Sequence, residues 1–224
     1  MVIGCGWGCN RKDDFKKQGK DFVPGNKYLT AEDLATVDVK NGGNYVVATR
    51  TAGEEGAAVL AVAAKEAIKQ KKRLFGFFGA KGEHLPYQTA DGNYDPTRGS
   101  KSADRYKPED LLENPVLADM ATAALDVLGA NEKGFWLLVE SGDVDWANHN
   151  NNIDNAVGAV FSGELAFDAI TAWVEKNSSW EETLLIVTAD HGHMMTLDKP
   201  ERLIRQKTAP VEPGNPKESV SATQ

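Results

Sequence analysis

The chain has 224 residues, of which 41% are hydrophobic and 26% charged, and this is the composition of a globular rather than a disordered protein. Its formal net charge of −8 argues against nucleic acid as a polymer partner, and its two cysteines exclude a disulfide scaffold. No apolar run approaches the roughly 20 residues of a membrane span, so no transmembrane segment is expected.

The first half of the chain alternates predicted strands and helices. Short apolar runs predict strands at residues 2–3, 44–48 and 74–78. Thr30, which acidic residues follow closely, is expected to cap the start of a helix. A second helix is predicted over residues 53–72, because apolar residues recur there at helical spacing; they are Val59, Val62, Ala63 and Ile68.

The second half continues this alternation after a long loop, predicted at residues 79–114 because Gly, Pro, Asp and Ser follow no period there. Apolar runs predict strands at 134–139 and 184–188, and helical spacing predicts helices over 115–128 and 152–176. The apolar faces expected for these helices are Leu117, Met120, Ala121, Ala124 and Leu128, and then Ile153, Val157, Val160, Phe161, Leu165, Ile170, Trp173 and Val174.

Continuous apolar strands separated by helices indicate an α/β fold with a mostly parallel sheet. In such folds, ligands bind beyond the carboxyl ends of the strands. The folded domain is expected to cover residues 1–206. Residues 207–224 are rich in Pro, Ser and Thr and predict a disordered tail.

Two of the predicted strands run directly into residue types that bind metals. The first is followed by the pattern E-x4-D-x3-H, in which one helical turn brings the Asp and the His to one face. The second is followed by D-H-G-H. Imidazole and carboxylate together favour zinc, and additional oxygen ligands suit magnesium. The candidate ligands are Glu140, Asp145, His149, Asp190 and His191.

Each of these residues also has a simpler interpretation. A lone Asp after a strand commonly caps the next helix, and a lone His is commonly a satisfied core or surface residue. Cys5 and Cys9 lack a second Cys or His pair nearby, so they are interpreted as small residues of a strand and turn. Metal binding is favoured because two such segments, each after an apolar strand, occur in one chain.

The two segments and their order resemble the motifs of the alkaline phosphatase family. Residues 139–149 resemble that family's E-x4-D-x3-H segment, residues 188–193 resemble its T-A-D-H-x-H segment, and a long helix separates them. Weaker similarity is found at residues 74–86, 117–128 and 164–170. The resemblance implies a three-layer α/β sandwich with a mostly parallel sheet, truncated at both ends in this chain.

Carried over residue by residue, the resemblance implies two zinc ions and one magnesium ion. Asp145 and His149 match ligands of the first zinc, and Asp190 and His191 match ligands of the second. Glu140 matches the magnesium ligand.

Two further residues have implied roles beside the metals. His193 matches a residue that contacts a ligand without binding the metal, and Trp146 would line the site. The family hydrolyses small phosphate monoesters with a serine nucleophile that one zinc activates, while the other zinc stabilises the leaving oxygen. It is often homodimeric and typically periplasmic or secreted, although residues 1–10 carry no secretory signal.

Several parts of the family pattern have no match in this sequence. No D-S-A segment supplies the nucleophile, and no histidine follows His193 to complete the first zinc site. Ser141 and Thr188 are interpreted as turn and strand residues, and Ser100 and Ser102 as solvated loop residues, so no catalytic nucleophile is assigned. Three hypotheses stay open: a phosphate monoesterase, an inactive metal-binding or interaction module of that fold, and another phosphodiesterase, mutase or sulfatase of the superfamily.

Overall fold

The computed structural model describes residues 1–6, 29, 31–80, 84–95, 106–193 and 199. Met1–Met194 form one compact unit. The predicted tail at 207–224 belongs to a second unit, Met195–Gln224, in which only Lys199 is among the described residues.

A parallel sheet forms the centre of the first unit. Its strands are β1 (Val2–Cys5), β2 (Tyr45–Thr49) and β3 (Arg73–Phe78), in the order β1-β3-β2. Both pairs are parallel, with Val2 opposite Phe75 and Tyr45 opposite Arg73. The predicted α/β class is therefore confirmed, as are the three strands predicted in the first half of the chain.

Six α-helices accompany the sheet in the described part of the chain. They are α1 (Ala31–Val37), α2 (Gly56–Gln70), α3 (Pro108–Leu112), α4 (Leu117–Gly129), α5 (Asp143–His149) and α6 (Ile153–Asn177). The sequence predicted α1, α2, α4 and α6 within a few residues of these bounds. It assigned α3 to the loop at 79–114, where a proline in the first turn and Asp110, which accepts a hydrogen bond from the Lys107 amide, begin a short helix.

The core lies between the sheet and α2, and α2 buries a different face from the one expected. Its buried residues are Gly56, Leu60, Ala63, Ala64 and Ala67. Val62 is 67% exposed and Ile68 is 37% exposed, so the expected apolar face was wrong at these two positions. Alanines allow the helix to approach the sheet closely. A prediction based on the positions of large apolar side chains does not take this close approach into account.

The long helix α6 likewise packs through small side chains. Its buried residues include Ala156, Gly158, Ala159 and Ala166, whereas four of the large residues expected to be buried are exposed, namely Val157, Val160, Phe161 and Leu165. A Cβ on Gly158 would meet the Gln88 carbonyl oxygen, so the helix and the segment after β3 touch backbone to backbone. By length and composition, α6 is also apolar enough to cross a membrane, a weak indication because core helices meet the same criterion.

The two strands predicted at 134–139 and 184–188 do not form. Both segments lie outside any sheet, and the part of the chain that the structure describes places no pairing strand beside either. Their apolar side chains are correspondingly exposed, with Trp136 at 81%, Leu138 at 70%, Leu184 at 82% and Val187 at 76%. A short apolar run sets the propensity for a strand, but the ladder requires hydrogen bonds from a neighbour.

Candidate metal centre

The first half of the centre lies on α5, the single short helix that follows residues 134–139. Ala147 on this helix is fully buried, and within the helix the Asn148 side chain donates to the Val144 carbonyl. The four-residue spacing places Asp145 and His149 on one face, with 3.4 Å between Asp145 Oδ2 and His149 Nε2. The helical turn predicted from the sequence is thus confirmed.

The second half comes from the segment that follows residues 184–188. His193 Nε2 lies 3.4 Å from Asp145 Oδ1, and His191 Nε2 lies 3.7 Å from the same oxygen. The rings of His149 and His193 meet edge to face, with centroids 4.5 Å apart. One ligand atom from each of Asp145, His149 and His193 falls within 4.8 Å of the others, which is the separation that one metal ion can bridge.

Two atoms at this point are buried without a hydrogen-bond partner. They are Asp145 Oδ1 and His193 Nδ1, both inaccessible to solvent although the residues themselves are only partly covered. A buried polar atom without a partner costs about 1–3 kcal/mol. The donor types and the unsatisfied carboxylate oxygen therefore fit a metal ion bound by oxygen and nitrogen.

Three residues predicted for the site are not part of this group. Glu140 is exposed and turns back toward Gly142. The Asp190 carboxylate is 89% exposed and contacts His191, at 3.6 Å between Oδ2 and Nε2. Trp146 is 57% exposed, on α5 beside Asp145. The structure thus brings together Asp145 with three imidazoles, and leaves the predicted magnesium ligand apart.

The charges around His191 favour its protonated form. The pKa of His191 is raised, first because its ring interacts with the Gly192 carbonyl and next because the Asp190 and Asp145 carboxylates are close. A metal ion must displace that proton, because only the neutral imidazole is a ligand. Metal binding by His191 is therefore expected to weaken as the pH falls.

A partly buried carboxylate that the sequence analysis did not single out lies at the start of α5. Desolvation raises the pKa of Asp143 to about 7, and the neighbouring His84 lowers it only in part. His84 is itself buried and stacks on Tyr87 with 3.8 Å between ring centroids, in keeping with a structural role. Cys5 is exposed as a residue, yet desolvation and the charge of Asp143 raise the pKa of its thiol to about 11.

The thiol of Cys5 therefore stays protonated near neutral pH, which argues against a role as a metal ligand. Cys9, the other cysteine of the chain, lies outside the described residues. Asp143 stands four residues after the apolar run at 134–139, and its spacing in the sequence gives no sign of burial, because its interactions are with Cys5 on β1 and with His84.

Comparisons with known proteins find one family repeatedly. The family model for alkaline phosphatase matches residues 16–212. Alkaline phosphatase 4 of Bacillus subtilis (strain 168) is 34% identical over 132 residues, which are 58% of this chain and 23% of that protein. The membrane-bound alkaline phosphatase of Bombyx mori is 27% identical over 197 residues, which are 84% of this chain and 34% of that protein.

A bacterial relative from a third genus is also an alkaline phosphatase. The alkaline phosphatase of Escherichia fergusonii is 31% identical over 137 residues, which are 59% of this chain and 28% of that protein. The chain thus spans between 23% and 34% of the length of these three relatives. Since the family model matches most of its residues, the chain belongs to the alkaline phosphatase family.

Proposed function

We propose that this chain carries the metal-binding part of a zinc-dependent phosphate monoester hydrolase. Membership of the family supports phosphatase chemistry at the family level. The observation that carries the finer proposal is the convergence of the His149, His191 and His193 imidazoles on the Asp145 carboxylate, from two segments well separated in the chain. This donor set suits zinc, the metal that most often combines imidazole and carboxylate ligands in hydrolases.

The residues divide among three ions in this proposal. Asp145 and His149 bind the first zinc, Asp190 and His191 bind the second, and Glu140 supplies an oxygen to magnesium. Bound zinc supplies Lewis acidity, which lowers the pKa of an attacking hydroxyl and stabilises a leaving oxygen. The exposure of His149 and His191, at 65% and 56% of their side chains, leaves room for a small phosphate ester beside the centre.

Two hydroxyl groups that are close in sequence to the proposed ligands make hydrogen bonds to backbone carbonyls. Ser141 donates to the Ala159 carbonyl at 3.2 Å and packs against Gly163, so it joins the turn before α5 to the long helix. Thr188 donates to the Ala189 carbonyl in an exposed segment. The Ser141 contact supports its interpretation as a turn residue, whereas the interpretation of Thr188 as a strand residue was wrong because residues 184–188 form no strand. No nucleophile is assigned within the described residues.

The test is hydrolysis of p-nitrophenyl phosphate by the purified chain with added zinc and magnesium. Asp190→Ala removes a proposed ligand, and Asp168→Ala, an exposed acid on α6, is the matched control. We expect zinc-dependent turnover that Asp190→Ala abolishes and Asp168→Ala leaves unchanged. Turnover no higher than that of Asp190→Ala, with zinc still bound, would refute the hydrolase and leave the metal-binding module.

The same assay separates the remaining alternative. Bis(p-nitrophenyl) phosphate and p-nitrophenyl sulfate report on a phosphodiesterase and a sulfatase of the superfamily. A higher kcat/KM for either ester than for the phosphate monoester would assign the chain to that class. We expect the monoester to be preferred, because the E-x4-D-x3-H pattern resembles the monoesterases.

A further inference from the structure

We propose that Asn155 is a positioning residue for the metal centre, because its side-chain amide fixes the end of α5 that carries His149. Asn155 itself lies in the first turn of α6. The inference rests on the metal site of the proposed function, in which His149 binds zinc. It concerns the backbone that presents His149 and adds no ligand to the site.

Packing does little to hold the His149 side chain, which is 65% exposed. Its contacts are with other members of the centre, namely Asp145 at 3.4 Å and the ring of His193 at 4.5 Å between centroids. A metal ligand has to be held within about 0.5 Å of its productive place. The backbone at the end of α5 must therefore supply that precision.

The turn that follows His149 is hydrogen-bonded back to α5. Asn151 has a φ of 51°, a left-handed conformation that asparagine tolerates better than most residues, and its amide donates to the Asn148 carbonyl at 2.9 Å. The Asn152 amide donates to the Ala147 carbonyl at 3.0 Å. The last turn of α5 and Asn152 thus form one unit, so a displacement of Asn152 also displaces His149.

The Asn155 side chain links this unit to a distant part of the fold. Asn152 and Asn155 are buried, at 7% and 4% exposed, and Asn152 Nδ2 donates to Asn155 Oδ1 at 2.6 Å. Asn152 Oδ1 accepts from the Asn155 backbone amide at 3.2 Å. Asn155 Nδ2 donates to the Gln88 carbonyl at 3.0 Å. One end of the Asn155 amide therefore faces the turn after α5, and the other faces the segment after β3.

Gln88 lies in a segment that is itself held in place beyond the end of β3. The Ala80 amide donates to the His84 carbonyl at 2.7 Å, and the neighbours of Gln88 are buried, with Tyr87 3% and Thr89 2% exposed. A buried polar network in which the groups satisfy one another specifies a single arrangement. The Asn155 amide thus fixes the end of α5 relative to the segment that leaves the sheet.

The test compares Asn155→Leu with the matched control Val174→Ala. Leucine keeps the branched shape of the side chain and can make neither of the two amide hydrogen bonds. Val174 is 2% exposed and lies about 28 Å further along the same helix, so its truncation destabilises α6 at a distance from the link. Far-UV circular dichroism and urea unfolding identify the conditions in which both variants are folded.

The first readout is the zinc affinity of the folded chains, measured against a chromophoric chelator. Loss of a residue that orients a metal ligand weakens binding by about 10- to 100-fold, and we expect Asn155→Leu to fall in this range. We expect Val174→Ala to stay within about twofold of the native affinity, because it is distant from the ligands and from the backbone that carries them.

The second readout is amide hydrogen exchange of the metal-free chains, in which α5 is compared with α4. Local opening of one element accelerates exchange in that element alone. We expect Asn155→Leu to accelerate exchange in α5 by at least about tenfold relative to α4, and Val174→Ala to leave the ratio of the two helices unchanged. A merely structural loss of stability would accelerate exchange in both helices together.

Equal zinc affinity of Asn155→Leu and Val174→Ala, or an unchanged exchange ratio in Asn155→Leu, overturns the proposal. If Asn155→Leu does not fold, Asn155→Ala, whose side chain is too small to clash, replaces it in both measurements with the same expected results. Zinc binding that depends on Asn155, without turnover of p-nitrophenyl phosphate, keeps this inference and rejects the proposed function. A native chain that binds no zinc overturns both.

Discussion

Arg50 is a nearly buried cation that ties the carboxyl ends of the strands to α3. Its Nε lies 2.8 Å from Glu113 Oε2, and its Nη2 lies 2.8 Å from Asp110 Oδ1. Its Nη1 donates to the Gly79 carbonyl at 3.0 Å. The three side chains are only 12%, 9% and 13% exposed. Arg50→Met removes the cation and leaves both carboxylates without it in a site of low polarity.

The expected loss follows from these contacts. Breaking a buried ion pair by removing one partner costs about 3–5 kcal/mol. Glu113 keeps one hydrogen bond, from the Gly53 amide at 2.8 Å, so we expect the lower end of that range. The double variant Arg50→Met/Glu113→Gln should recover at least about 1 kcal/mol, because one of the two unpaired charges is removed and the Gly53 hydrogen bond can persist.

The assay is equilibrium unfolding in urea, followed by circular dichroism at neutral pH. The matched control is Arg73→Met, because Arg73 is exposed at the start of β3 and its substitution should change the free energy of unfolding by no more than about 0.5 kcal/mol. Equal stability of Arg50→Met and Arg73→Met would refute the reasoning that the ion cluster is buried and coupled.

The same cluster predicts a pH dependence. Burial acts to raise the pKa of Glu113, but hydrogen bonds from the Gly53 amide and Arg50 outweigh it, and the pKa lies below its ordinary value. A depressed pKa stabilises the fold above the unfolded-state value and loses that stabilisation as the pH falls through the folded-state value. We expect the stability gap between the native chain and Arg50→Met to narrow below about pH 4.

Three further variants test the packing and the electrostatics. Gly158→Ala places a Cβ against the Gln88 carbonyl and should destabilise the fold by about 1–3 kcal/mol, whereas Gly4→Ala, with nothing within 4 Å, should be neutral or stabilising in the same urea assay. Asn152→Ala removes the side chain that caps α6 and should cost about 0.5–2 kcal/mol; no change would show that the cap contributes nothing. Asp143→Asn should stabilise the metal-free chain at pH 8 by an amount of the order of 2–4 kcal/mol and leave its stability unchanged at pH 3.5. The reason is that the raised pKa of Asp143 lowers the stability of the native chain as the pH rises from about 4 to about 7. Equal stability of the two chains at pH 8 would contradict the burial of the carboxyl.

Local patterns in the sequence were sufficient where the structure itself is local. The helical turn that joins Asp145 to His149 follows from a four-residue spacing, and helix geometry fixes that relation without help from the rest of the fold. The strands β1, β2 and β3 were predicted from short apolar runs and are paired in the sheet. The acidic and histidine residues at 139–149 and 188–193 were enough to recognise the family.

The strands expected at 134–139 and 184–188 and the faces of α2 and α6 were decided by tertiary contacts. An apolar run becomes a strand only when a neighbour completes its hydrogen bonds, and a helix buries whichever side can approach its neighbour most closely. On α6, Gly158 and the alanines beside it allow that approach, and the larger residues point away. The position of His193 beside Asp145 is likewise tertiary, because it depends on how two distant segments meet. The sequence alone thus determined which residues can bind a metal, and the fold determined which of them reach the same point.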